Sequence, residues 1–237
     1  MRSDEGGGCI LSPPAMGDTV FWPEKAYTSG EFSMFRRVAW ILLLVTVWPA
    51  YADNMDRQLG EARAIFLHGV DGDRRAVRDA TLRFKALSQT YPTEPVFVAY
   101  VGACETLQGR DAPNVFEKRR KTEEGLSDID RALKSAHPDR NSPHDLDTML
   151  VAANAFIHIP SFFNRYERGR RLLQEILDNR GFDGMAPGYK AATYLAAALV
   201  AHGDEDDKAY RDYLKLATAA DPDSRDGRLA SKLLAEP

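Results

Sequence analysis

Little in this 237-residue chain points to chemistry. It has two cysteines, Cys9 and Cys104. No glycine-rich phosphate loop, HExxH, CxxC or GxSxG occurs, which removes the commonest signatures of nucleotide, zinc, redox and serine-hydrolase function. Strand signals are nearly missing as well. The closest, Pro95–Val101, runs directly into Gly102–Leu107 at helical spacing. The uncharged run Val38–Trp48 stops at 11 residues, short of the roughly 17–25 that cross a bilayer as a helix.

That short run has a use of its own. Residues 34–54 read MFRRVAWILLLVTVWPAYADN. Arg36 and Arg37 supply a positive end, the apolar core follows, and Ala50-Tyr51-Ala52 places small residues where a signal peptidase reads. The pattern predicts a signal peptide over 34–52, cleaved after Ala52, and a periplasmic or secreted product with no stable membrane anchor. Met34 is then the expected start. Residues 1–33, with Gly6–Gly8 and Pro13-Pro14 and no helical or strand period, read as an upstream extension. Residues 53–237 form the expected mature domain, 185 residues, enough for one core. Its 27 basic residues stand against 30 acidic ones, a balance of −3 that offers no bulk attraction to nucleic acid. Cys104 alone remains there, so no internal disulfide forms.

What the mature region does contain is a repeat. A small residue, a large apolar residue four later and another apolar residue three beyond recur, followed by Pro or Gly. The copies are Ala80–Phe84–Leu87, Gly125–Ile129–Ala132, Gly169–Leu173–Ile176 and Ala209–Tyr213–Leu216, starting 45, 44 and 40 residues apart. Positions i, i+4 and i+7 share one helix face, and the small residue admits a neighbouring helix closely. Each copy follows a second apolar segment: Leu59–Gly69, Val96–Leu107, Leu146–Ile159 and Tyr189–His202. The spacing predicts an all-α domain of about four helical hairpins, with a short helix from Arg228 to Leu234 covering the open end. Stop-and-start signals at Asp71-Gly-Asp73, Asn141–Asp145 and Gly203–Asp206 fit that register. Ser142 reads as a cap and Pro143 as a first helical residue.

Small–x3–aromatic–x2–apolar, then Pro, resembles the second helix of tetratricopeptide repeats. The resemblance covers about residues 56–235 and fits best in the fourth unit, where Ala197 stands twelve before Ala209. The period exceeds that family's 34 residues, its first-helix tryptophan is missing, and Gln108–Lys121 reads as a long charged linker. The resemblance implies an α-solenoid whose concave face, lined by the first helices, binds extended peptides. In the third unit it places Leu150, Asn154, Ile157 and His158 beside the groove. Asn154 stands where family members hold a peptide backbone, but Leu150 replaces the lysine of the carboxylate-clamp subgroup. Tyr100 and Tyr194 are candidates for the same groove.

Other clusters carry less. His137, Asp139, His144 and Asp145 match no common metal spacing, and Cys104 on an apolar helix face reads as core. The stretch 156–166, FIHIPSFFNRY, gathers Phe162, Phe163 and Arg165 around Pro160, either as a rim or docking knob or as a turn packed against the fourth unit. The expectation is a non-catalytic scaffold for a protein or peptide partner, with no cofactor or metal. The alternative is a periplasmic solute-binding accessory of a transport system, its apolar pocket lined by the 156–166 loop.

Overall fold

The computed structural model describes residues 54–136 and 142–236. The expected leader (34–52), the extension (1–33), His137 and Asp139 lie outside them. The described residues are all-helical, with no strand. In chain order the helices are α1 (54–70), α2 (Arg74–Thr90), α3 (Pro95–Asp111), α4 (Val115–Ser135), α5 (Pro143–His158), α6 (Tyr166–Leu177), α7 (Pro187–Gly203), α8 (Asp207–Ala220) and α9 (Arg225–Ala235). Single 3-10 turns at Ser161–Phe163 and Phe182–Gly184 sit between α5, α6 and α7. No helix among the described residues is long and apolar enough to cross a membrane.

Local chemistry sets the ends. The Asp73 carboxylate accepts from the N–H groups of Arg75 and Ala76, Asn114 from Glu117, and Asp206 from Ala209, each satisfying donors that a helix start leaves open. Pro95, Pro143 and Pro187 open α3, α5 and α7, where the missing N–H costs nothing. Gly72, at φ 110°, makes the left-handed turn between α1 and α2. Ser142 occupies the cap position of α5, but its hydroxyl makes no capping bond; Pro143 and Asp145 start that helix without it.

The helices divide into two kinds. α2, α4, α6 and α8 are amphipathic, with one buried stripe. α3, α5 and α7 are apolar around most of their circumference and form the interior row. Each packs against the helix that follows it, and α3 also touches α5, α5 touches α7, and α7 touches α9. The core runs as three successive clusters, centred on Phe84 and Phe97, on Ile129, Phe156 and Ile176, and on Leu195 and Leu214. Each fully buried large side chain contributes about 2–3 kcal/mol.

The first three repeat copies are packing residues. Phe84, Ile129 and Ile176 are fully enclosed, and the small residues before them mark close approaches. A methyl added to Gly102 would lie 2.5 Å from the Gly125 carbonyl oxygen and 2.8 Å from Ile129 Cγ1. One added to Gly169 would lie 2.7 Å from Ile157 Cγ2. Backbones come this near only where neither residue carries a side chain.

Two expectations are corrected. The fourth copy is out of register by one residue: Leu216 is 45% exposed, while Leu214 and Ala217 are buried. The stripe is Tyr210–Leu214–Ala217, with Tyr213 half-buried beside it. The unit that best resembles the family pattern is therefore the one that departs from it in packing. Second, Gln108–Lys121 is no linker. α3 runs on to Asp111 and α4 begins at Val115, leaving 112–114 between them. The charges lie on helical turns, and 113–120 are all exposed.

A candidate docking site

Of the seven candidate residues, Phe162, Phe163 and Arg165 border one hollow, and the other four are not among its lining residues. Tyr100 lies in the core, its ring stacked on Phe84 at 4.5 Å between centroids. Its hydroxyl accepts from Arg63 Nε at 2.7 Å and donates to Asp147 Oδ1 at 3.3 Å, and Arg63 also donates to Asp147 Oδ2. Three residues from α1, α3 and α5 thus form one polar link, buried at Tyr100 and Asp147 and half-buried at Arg63. Burial pushes the Asp147 carboxyl above its ordinary range, and the Arg63 guanidinium opposes that rise. Burial raises Tyr100 as well, so its hydroxyl stays protonated. Tyr100 is spent on structure.

The other groove positions are mostly occupied too. Leu150 is buried among α4–α7 residues, and Ile157 packs on α6 at Gly169. Asn154 Nδ2 donates to the Leu150 carbonyl at 3.1 Å, a bond within its own helix. His158 is exposed, and its Nδ1 lies 2.8 Å from the Asn154 carbonyl. Tyr194 is half-buried, edge-on to Phe182 at 5.4 Å and near Tyr213 at 6.5 Å. Of the positions that the family resemblance placed along a groove, Tyr100 and Leu150 are therefore buried and Ile157 is packed against α6. Cys104 is likewise enclosed, and burial pushes its thiol up to about 12, far from a nucleophile's range.

Phe162, Phe163 and Arg165 come together somewhere else. Pro160 leads into the 3-10 turn, whose bonds run from Phe163 N–H to the Pro160 carbonyl and from Asn164 N–H to the Ser161 carbonyl. Asn164 then adopts the left-handed conformation, φ 53°, and the chain enters α6. Held this way, Phe163 packs on the core while Phe162 lies over it, centroids 4.3 Å apart and 72% exposed. Arg165 reaches Asp130 of α4 at 2.9 and 3.3 Å, and Arg168 donates to the same carboxylate. Both guanidiniums lie over the Phe156 ring, at 5.5 and 5.1 Å from its centre. Phe156 itself is fully buried and belongs to the core rather than to a rim.

Between this turn and α4 lies an open hollow of about 800 Å³. Its wall is the outward stripe of α4, from Arg119 and Glu123 through Ser127 and Asp130 to Lys134, with the two phenylalanines and Arg165 opposite. Six of its ten lining residues are charged, so the loop borders a polar hollow and not an apolar cavity. A residue missed by sequence reasoning continues the stripe. Phe116, 87% exposed, is seven residues before Glu123 and fourteen before Asp130, on the same helix face. Its signal was present: Asn114 followed three residues later by Glu117 marks a helix start directly ahead of Val115-Phe116.

The chain matches no protein-family model, and no curated protein or solved structure is significantly similar to it. Among the described residues no group of three or more His, Cys, Asp or Glu side chains is arranged to hold a metal ion.

Proposed function

We propose that the chain is an exported, non-catalytic scaffold of tetratricopeptide-like hairpins that holds another protein or peptide, and that it does so at the hollow between α4 and the 161–163 turn. One observation carries this reading: Phe162 is held largely in solvent by a hydrogen-bonded turn, over an open hollow. Exposed aromatics on a fixed backbone supply contact area at little ordering cost, which is how docking surfaces work. The leader pattern of 34–52 supports export, and the succession of neighbouring helices supports the repeat reading. The solute-binding alternative has less behind it, because the hollow is open and ringed with charge, whereas small-molecule sites enclose and desolvate.

A photoreactive benzoylphenylalanine at position 162, activated in cells that make the protein, tests the proposal. A discrete protein adduct is expected there and none from the same group at Lys208 on α8. N-terminal sequencing of the material should begin at Asp53. No adduct at 162, or equal adducts at both positions, would refute the docking surface; an intact leader would refute export alone.

A further inference from the structure

The partner's chemistry can be taken one step further, and the step rests on the docking reading above. The hollow carries four cations, Arg119, Arg131, Lys134 and Arg165, against two anions, Glu123 and Asp130. The anions are already engaged. Asp130 accepts from two guanidiniums, those of Arg165 and Arg168, so a single carboxylate answers two positive charges. Glu123 is 2.8 Å from Arg119. Arg131 is paired outside the hollow with Asp128 at 2.9 Å. The surplus is positive, although the mature region as a whole is negative; its acidic excess lies elsewhere, for instance at Asp204–Asp207. At the same face stand Phe116 and Phe162, two of the most exposed large apolar side chains among the described residues.

We infer that the occupant of this hollow is an acidic segment of a second protein, bearing aromatic or branched aliphatic anchors. Carboxylates of the segment meet the surplus positive charge, that of Lys134 and of the two guanidiniums sharing Asp130, and its anchors pack on Phe162 and, farther along α4, on Phe116. From Phe116 to Lys134 the face is about 27 Å long at 1.5 Å per residue. An extended peptide of about eight residues spans that length. The concave shape between the turn and α4 favours a chain over a flat lipid surface, which would meet only the rim. A second copy of this protein fits poorly, since antiparallel pairing of two α4 helices sets Lys118–Lys121 of each against the basic end of the other.

The experiment is selection of a random twelve-residue peptide library on the purified protein, followed by binding of the selected peptides in solution. Enriched peptides should carry net negative charge with Phe, Trp or Leu. Their affinity should fall at least tenfold with Phe162→Ser and with the double change Arg131→Glu and Lys134→Glu, and fall steeply as salt rises from 0.05 to 0.5 M. All three positions are at the surface, and unchanged circular dichroism and Tm would show that the fold is intact. Neutral or basic winners, no enrichment, or binding indifferent to both variants would overturn the inference. So would Phe162-dependent sedimentation of the protein with phosphatidylglycerol vesicles when no peptide is selected. A protein adduct at position 162 combined with any of these failures would leave the docking reading standing and remove only the acidic partner.

Discussion

The inward face of α4, with Thr122, Gly125, Ile129 and Ala132, meets α3 across a seam tight enough that two glycines touch backbone to backbone. Its outward face, with Phe116, Arg119, Glu123, Asp130 and Lys134, borders solvent, the 161–163 turn, and the Arg165 and Arg168 side chains that pair with Asp130. On the first face, folding dictates almost every atom. On the second, the Asp130 pairs tie α4 to α6, but Phe116 stays 87% exposed and takes no part in the core. The contrast is between a face set by packing and a face left largely to solvent, and the docking proposal rests on the second.

The largest effect expected from breaking this contrast is at the seam. Gly125→Leu puts a side chain where even a methyl would collide with the Gly102 carbonyl and with the Thr106 amide at 2.8 Å. Backbone cannot rotate away as a side-chain tip does, so α3 and α4 must separate and the central cluster opens. Destabilisation of about 4 kcal/mol or more is expected, read from urea unfolding followed by circular dichroism. Phe162→Ser on the other side of the same contact zone should move the midpoint hardly at all. Equal losses from the two substitutions would erase the distinction between the faces.

A second comparison within one helix has a smaller expected effect. In α8, Leu214 is fully buried while Leu216 is not. Leu214→Ala should cost about 2–5 kcal/mol by the same measurement, and Leu216→Ala less than about 0.5 kcal/mol. The reverse order would restore the Ala209–Tyr213–Leu216 register. Sequence spacing could not choose here. Residues 209, 213 and 216 and residues 210, 214 and 217 both obey the i, i+4, i+7 rule, and both include a tyrosine. The choice belongs to contacts with α7 and α9, which no local pattern records.

The rest of the fold was more legible because it is set locally. Asp73 and Asp206 cap helices where acidic starts were expected, and the first three small–large–apolar triplets are core. The capping helix begins three residues before its expected start, at Arg225, where the Ser224 hydroxyl accepts from Gly227 N–H. The grouping of the candidate residues was half legible. Phe162, Phe163 and Arg165 are neighbours in sequence and remain neighbours in space. Tyr100, Asn154, His158 and Tyr194 were grouped by a concave surface, and a concave surface depends on how successive hairpins rotate, a property of the whole stack. Charge on 117–121 concealed Phe116, because a charged run reads as a loop when it is in fact a projecting helical turn.

The smallest expected effect concerns the join between α1 and α5. His144, near the start of α5, has Nε2 2.8 Å from Asp56 Oδ1 of α1 and Nδ1 3.1 Å from Glu94 Oε2 before α3. Burial pulls the imidazole pKa down, but the hydrogen bonds and charges of the two carboxylates outweigh it, and the net shift is upward. A histidine raised in the folded state binds its proton more tightly there than in the unfolded chain. Its stabilisation is therefore complete below the unfolded value of about 6.5 and is lost as pH climbs through the raised folded value. Because Asp56 is largely exposed, the contribution should be under about 1 kcal/mol. Unfolding midpoints of the protein and of His144→Asn, compared at pH 5.5 and pH 8.5, give the sign directly. The gap between them should narrow at the higher pH. A gap that widens with pH would mean that the imidazole is held neutral between the two acids, and that α5 is tied to α1 by packing and the Arg63–Asp147 pair alone.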